Sequence, residues 1–436
     1  MRFGYSLGSL ATGAFGTVPG LLLLPYLTDT LGVAAGLAGL LVFLPKAWDV
    51  VVNPLVGRLS DRTRTRWGAR RPYLIGGGLS LAVLFAAIFA APFGSRLGPA
   101  AAYVAVAFLM TATAFAFFQV PYVAMPAEMT EGYAERTRLM TWRIAVLAFA
   151  ILVSGGVAPL IRDAAGGGLS GYRWMGIFVA SLIAAGAVGA FVGTRAAPTG
   201  RVEQSESSLR AQLAVAARNR PFRALLLCFV VQTVGIAAML AGVQYFADHV
   251  LHRHGATTIL FVCFVGPALL VMPVWRRVSE RMGKRRGFIA ASLLFAVGAL
   301  GAAAAPVLPV AAVYLVTALV GCGYAGQQVF ALSMLPDTIA YDAYRTGRRQ
   351  AGVFTGIWTA GETLGLALGP QIFGLVLQIF GYLPSSGDLV VDQPDRAELG
   401  VLLGFTVVPA IVVAAALVLF RGYDLTEQRL AAAAAS

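Results

Sequence analysis

Long apolar runs alternate with short polar connections along all 436 residues of the chain. Twelve runs fall at about 5–28, 33–58, 72–92, 99–125, 139–161, 174–194, 224–247, 257–275, 287–307, 309–334, 351–380 and 397–420. Each approaches or exceeds the roughly 20 residues that a helix needs to cross a bilayer. The pattern predicts an all-α membrane protein of twelve transmembrane helices. The first run is too long for the apolar core of a secretory signal, shows no cleavage site and leads straight into the second run, so it reads as the first helix. Between the sixth and seventh runs lies "RAAPTGRVEQSESSLRAQLAVAARNRPFR", the longest polar connection. It divides the chain into a six-helix bundle over 1–194, a linker over 195–223, a second six-helix bundle over 224–420 and a tail over 421–436. Ser207 to Arg218 carry the pattern of an amphipathic helix lying on a membrane surface.

The two halves repeat. "GRLSDRTRTRWGARRPY" follows the second run and "RRVSERMGKRRGF" the eighth; both read Arg-apolar-Ser-acid-Arg, then Gly-x-Arg-Arg. Arg58 and Arg277 are 219 positions apart. A second echo joins "AMPAEMTEGYAERTR" to "MLPDTIAYDAYRTGRR", with Pro126 and Pro336 separated by 210 positions. Two echoes at nearly one offset predict two parallel six-helix repeats with a central site between them. Arg58, Asp61 and Arg62 in the first copy, Arg277, Glu280 and Arg281 in the second, and Asp337 would be gating groups, pinning helix ends through acid–arginine pairs that break as the repeats move. Loop packing without gating is the alternative.

Composition sharpens this picture. Hydrophobic residues make up 58% of the chain and charged residues only 12%, against about 25% charged in an ordinary soluble domain. The net charge of +13 raises nucleic acid only until the basic residues are placed. Twenty-six of the 33 lysines and arginines fall on alternate connections, five on the opposite ones, and Lys46 and Arg143 lie inside runs. This asymmetry puts both termini in the cytoplasm, at the plasma (inner) membrane of a bacterium, with basic loops against anionic lipid headgroups and no role for nucleic acid. Cys228, Cys263 and Cys322 all sit within runs and read as small buried hydrophobes. "HVLHRH", with His249, His252 and His254, lacks carboxylate partners and reads as an interfacial loop, not a metal site. No phosphate-cradling loop, nucleophile constellation or Cys/His metal spacing occurs. The expectation is no enzyme, no cofactor, and energy drawn from an ion gradient.

Charge inside an apolar run demands a reason. A charged group at the bilayer centre costs at least roughly 2.5–3.5 kcal/mol on insertion scales, yet "FLPKAWDVVVNPLVGRL" carries Lys46 and Asp49 one turn apart. From the helix rise, Asp49 and Gln119 lie roughly 13–14 Å deep and Glu362 roughly 18 Å deep in a core about 30 Å thick. Arg143 is shallower. These five groups converge near the midplane, where secondary transporters hold solute and coupling ion. Buried ion pairs that only fix helix packing are the alternative. Trp142, Trp358, Gln327 and Gln328 are candidate lining residues, Trp358 by stacking on a ring. "LIGGGLSLAV" and "GETLGLALGP" supply small residues for close helix contact. Pro45, Pro54, Pro121 and Pro370 are expected to kink or interrupt their helices.

At "WDVVVNPLVGRLSDRTRTRWGARRPYLI" the chain resembles the glycoside–pentoside–hexuronide:cation symporters, the melibiose-permease-like branch of the major facilitator superfamily. "LPDTIAYDAYRTGRRQAGVFTGIW" looks like that family's second signature. The resemblance implies a major facilitator fold and cation-coupled uptake of a solute. It places Asp49 at an aspartate that helps hold the coupling cation, Lys46 at its basic neighbour, and Arg143 at the arginine near the sugar. The chain departs from the pattern elsewhere. Asn53 replaces a second cation-site aspartate and Val52 a polar neighbour. Gly13 and Gln119 replace two sugar-binding aspartates, and Glu362 replaces a lysine. The expected activity is therefore symport of a small polar solute, such as a sugar or glycoside, with a proton in preference to sodium, by a monomer. Gln119 and Arg143 would hydrogen-bond the solute. Lys46–Asp49 would be a standing ion pair and Glu362 the proton carrier, with Asp49 as carrier the competing assignment. A lysophospholipid or other amphiphile carrier, and a membrane receptor that binds without translocating, are the alternative activities.

Overall fold

The computed structural model describes residues 2–90, 92, 97–129, 133–195, 214, 216–253, 255–346, 351–385, 391–426, 428–430 and 432. The amphipathic helix expected over 207–218 falls mainly outside these residues, as do Arg348, Arg349 and His254, and the side chains of Asp61 and Arg136.

The fold is all-α. A short turn, Arg2–Ser6, precedes α1 (Gly8–Val18), which widens into π-turns at Pro19–Leu23 and Tyr26–Thr30. Then come α2 (Ala35–Arg62), α3 (Arg71–Ile88), α4 (Leu97–Met129), α5 (Tyr133–Ala164) and α6 (Gly168–Gly193). The second half holds α7 (Arg220–Tyr245), α8 (Ala256–Val265), α9 (Met272–Ala302), α10 (Val310–Thr346), α11 (Ala351–Ile379), α12 (Asp395–Phe405) and α13 (Val407–Phe420). Among the described residues, eleven helical segments are long and apolar enough to cross a membrane.

Two expectations are corrected in detail. The eighth span, expected over 257–275, is broken into Ala256–Val265 and Pro267–Leu270 before α9 begins at Met272. Pro267 and Pro273 stand at the first positions of the segments that follow each break, where a missing backbone N–H costs the helix nothing. The connection expected over 276–286 is not an open loop. Helix continues on both sides of one non-helical residue, Gly283, at φ 78° and ψ 162°, a backbone region essentially restricted to glycine. The corresponding connection in the first half is a true loop from Thr63 to Arg70, turned at Gly68 with φ 90°. The prolines do not interrupt their helices: α2 runs on through Pro45 and Pro54, α4 through Pro121, and α11 through Pro370. Neighbouring helices and side chains can re-satisfy the backbone groups that such prolines free.

Contacts divide the chain into two compact units. The first comprises Met1–Gln204, His252–Thr258 and Pro370–Glu398; the second comprises Ser205–Leu251, Ile259–Gly369 and Leu399–Ser436. In the first unit α3 packs on α4 and α6, α1 on α5 and α6, and α2 on α4. Lipid tails are as apolar as leucine, so small residues that let backbones approach do much of this work. Gly4 and Gly193 face each other so closely that a side chain on either would enter the other's backbone. In the same unit Tyr382 Oη donates to Asp29 Oδ1 at 2.8 Å, and the backbone N–H of Ser385 donates to the Thr28 carbonyl at 3.0 Å. In the second unit α9 packs on α10 and α13, and α7 on α10 and α13. Phe222, Phe229, Phe288, Phe330, Trp358 and Phe420 fill the core between them. Asn219 caps α7, its Oδ1 accepting from the Phe222 N–H at 3.0 Å. The same amide donates to the Thr338 carbonyl on α10 at 2.9 Å.

Candidate functional site

The first unit holds two polar groupings. One is the charged face of α2. Lys46 is 9% exposed and Asp49 6% exposed, three residues apart on one face. The structure does not close the expected ion pair: among the described residues no N···O approach within 4.0 Å joins them, and Asp49 Oδ1 has no hydrogen-bond partner. Val52, one turn further, is buried against Val56 and Ala116, so hydrocarbon occupies that position. Asn53 is half-buried.

The other grouping is a seam between α1, α4 and α5. Tyr5, Ser9 and Thr12 fall at helical spacing on one face. Thr12 Oγ1 donates to Gln119 Oε1 at 2.8 Å. Tyr5 and Tyr122 are stacked with ring centroids 4.6 Å apart. Each donates its hydroxyl to the other's backbone carbonyl, at 3.0 and 3.1 Å. Ser9 Oγ lies 3.0 Å from Tyr122 Oη. Arg143 on α5 completes the seam. Its guanidinium sits 5.4 Å from the Tyr122 ring centroid, while Nε has no hydrogen-bond partner. An arginine fork held over an aromatic face suits planar recognition of oxygen acceptors. Gln119, bonded to Thr12, and Arg143, over the Tyr122 ring, therefore lie along one polar seam. Among the described residues nothing bonds either to Lys46 or Asp49. Trp142 is 51% exposed and meets Phe3 edge-on at 5.9 Å.

In the second unit Trp358 stacks on Phe229, centroids 4.3 Å apart and planes at 22°. Its indole N–H is buried without a partner. Gln327 is 1% exposed, and neither its amide nitrogen nor its oxygen has a hydrogen-bond partner. Tyr324 and Gln328 lie one turn apart on α10, Tyr324 within electrostatic reach of the half-buried Glu362 on α11. The structure thus leaves Gln327 and Trp358 with open hydrogen-bonding capacity.

The gating groups pair differently from the expectation. Asp337 Oδ2 accepts from Lys284 Nζ at 2.6 Å, and the same ammonium reaches the Ser333 carbonyl at 3.1 Å. Glu280 pairs with Arg276 at 2.9 Å on an exposed helix face. Arg58, Arg62, Arg277 and Arg281 are exposed. Lys284 was hidden in a run of like charges, and only the tight corner at Gly283 brings it to α10. Sequence reasoning also missed Tyr5, Ser9, Thr12 and Tyr122. The i, i+4, i+7 spacing in "YSLGSLAT" was the available signal. His249 stacks near Tyr245 at 6.5 Å, and among the described residues no three metal-binding side chains cluster. Cys228 is buried, Cys263 and Cys322 half-buried, all as free thiols.

Comparison with known proteins follows this geometry. A family model described as MFS/sugar transport protein matches residues 4–427. The chain is 28% identical over 450 residues to the uncharacterized symporter YnaJ of Bacillus subtilis (strain 168), covering 98% of this chain and 92% of that one. It is 28% identical over 436 residues to a glucuronide carrier protein homolog of Escherichia coli (strain K12), again covering 98% and 92%. Among solved structures, the nucleoside transporter NupG superposes with a TM-score of 0.68 at 13% identity, covering 98% of this chain and 99% of that one. That likeness is one of fold.

Proposed function

This chain belongs to the MFS/sugar transport family, and from that premise we propose that it carries a glycoside or related small polar solute together with a proton. It is an integral multi-pass membrane protein and a secondary active transporter, not an enzyme. The relative named as a glucuronide carrier homolog favours a hydroxyl-rich, oxygen-bearing solute. Arg143 and Gln119 supply donors for such a solute in the first unit, and Gln327, Gln328 and Trp358 supply an amide pair and an indole in the second.

The observation that speaks against sodium is the setting of Asp49. Asp49 is a buried carboxylate whose Oδ1 lacks a partner, followed one turn on by Val52 packed in hydrocarbon and by Asn53. Sodium asks for several oxygen ligands around one point, whereas a proton asks for one carboxylate that can release it. In this reading Glu362 takes up and releases the proton, and the Lys46–Asp49 charges orient the site. Arg58, Asp61, Arg62, Arg277, Glu280, Arg281 and Asp337 act at the helix ends during transport, with Lys284 as the basic partner of Asp337. The reading keeps the covalent layout of a bundle over 1–194, a linker, a second bundle over 224–420 and a tail, with both termini in the cytoplasm.

Uptake into proteoliposomes tests the coupling. An imposed pH gradient should drive accumulation of a β-glucuronide or similar glycoside, with no response to sodium at fixed pH. Sodium-stimulated uptake without a pH gradient would overturn proton coupling. For orientation, single cysteines at Arg64→Cys and Arg285→Cys should resist impermeant reagents in intact cells; efficient labelling would reverse the topology.

A further inference from the structure

The three glycines near the start of α3 do different work. A side chain at Gly77 would meet the Phe117 backbone at 2.9 Å, and one at Gly78 would strike Ala187 and Phe118. Those two let α3 close on α4 and α6. A side chain at Gly76 would meet nothing within 4 Å. Gly76 instead forms the floor of a cavity of about 500 Å³ between α3 and α4, running from Pro72 and Tyr73 to Leu84 and walled by Met110 and Phe117.

The cavity opens sideways between apolar side chains. Leu79 is 40% exposed, Val83 70% and Met110 52%, so in the bilayer its open side faces lipid tails and not water. Pro72 and Leu84 are twelve residues apart on α3, or about 18 Å along the helix. That is close to the depth of one leaflet, half of the roughly 30 Å hydrocarbon core. The two ends differ in charge. Tyr73 Oη lies 2.6 Å from Thr63 Oγ1, which brings the neighbours of Thr63, the exposed Arg62 and Arg64, to the Pro72 end. Arg58, one helical turn earlier, is exposed as well. The far end, at Leu84, carries no charge.

We propose that this groove is a binding site for an anionic phospholipid, one acyl chain lying over Gly76 and the headgroup phosphate held by Arg62 and Arg64. A groove as deep as one leaflet, mostly apolar and cationic only at its mouth, matches the amphipathic form of a lipid. Its wall carries the hydroxyls of Ser80 and Thr113, and that of Thr113 is already bonded to Trp48 and the Leu109 carbonyl. Basic side chains at a membrane surface attract anionic lipid well above zwitterionic lipid. The inference stands apart from the choice of solute or coupling ion, since none of the residues proposed for those roles lines the groove.

Native mass spectrometry of the full chain, presented with phosphatidylglycerol and phosphatidylethanolamine of identical acyl chains, reads this directly. The unaltered protein should retain phosphatidylglycerol on the order of tenfold better. A Cβ at position 76 meets nothing within 4 Å, so Gly76→Leu should place its side chain in the groove, keep the fold with little change in melting temperature and lose the retained lipid. Arg62→Gln with Arg64→Gln should still hold lipid but lose the headgroup preference. Equal retention of the two lipids by the unaltered protein would overturn the proposal, as would undiminished phosphatidylglycerol binding in folded Gly76→Leu. A dimer that Gly76→Leu dissociates would give the groove to a second copy and overturn it too. Should Gly76→Leu fail to fold, the arginine variant decides: a preference that survives it refutes the headgroup site.

Discussion

Tyr122 and Gln327 are both buried on long helices, and the protein treats them in opposite ways. The hydroxyl of Tyr122 bonds the Tyr5 carbonyl and lies within bonding distance of Ser9, with Arg143 stacked against its ring. The amide of Gln327 bonds nothing, and neither does Trp358 on α11 through its indole N–H. A satisfied network in an apolar interior locks helices in register. An unsatisfied buried group costs about 1–3 kcal/mol, a cost tolerable where a solute or water supplies the missing partner. The first unit's seam thus holds α1, α4 and α5 together, with Arg143 and Gln119, the groups proposed to meet solute, at its edge. Gln327 and Trp358 in the second unit are left open. The charges of α2 belong with the open kind, since Asp49 is buried and incompletely bonded although it shares the first unit with the seam.

The largest effect should come from the open carboxylates. Glu362→Gln should abolish gradient-driven accumulation in proteoliposomes while solute exchange between equilibrated compartments survives, because exchange needs no net proton release. Asp49→Asn should impair both, since it leaves Lys46 buried without a counter-charge. Concentrative uptake at normal rates by both variants would make these charges structural and erase the contrast. Next in size, Tyr122→Phe removes the hub of the closed seam and should cost about 1–3 kcal/mol, read as a lowered melting temperature in detergent. Its KM should move less than its stability. Gln327→Leu should do the reverse. Replacing an unbonded amide by a side chain of similar size should leave the melting temperature level or raised, while KM for the solute rises about tenfold, equivalent to about 1.4 kcal/mol. A clear loss of stability would show that Gln327 is a structural group. The smallest effect belongs to Ser9→Ala, which removes one neutral hydrogen bond worth about 1 kcal/mol, with transport unchanged.

Much of this was legible in the sequence, for identifiable reasons. A membrane helix must be long and apolar throughout, so α2, α4, α7 and α11 announce themselves. The repeated Arg-apolar-Ser-acid-Arg strings marked equivalent corners of the two halves. What stayed hidden depended on geometry finer than spacing. Lys46 and Asp49 share a helix face, but two side chains on one face can point past each other, and spacing does not report rotamers. The Lys284–Asp337 pair could not be read from a run of six basic residues. It depends on the direction in which the backbone leaves Gly283. The reciprocal bonds of Tyr5 and Tyr122 join residues 117 positions apart, and no local pattern records them. In the GGG triplet all three letters are alike, yet only the packing of α4 and α6 tells Gly76 from its neighbours.

The corner at Gly283 bears on how the protein is made. A joint of one residue leaves no slack between the helical segments on either side of it, and the six basic residues within 276–286 must stay together on one side of the membrane. The spans that this corner joins are thus expected to insert as a hairpin. At φ 78° and ψ 162° any residue with a side chain would strain that hairpin as it forms. A Gly283→Ala chain should thus reveal its defect during synthesis, as a lower yield of inserted protein, before any change in transport by the molecules that succeed.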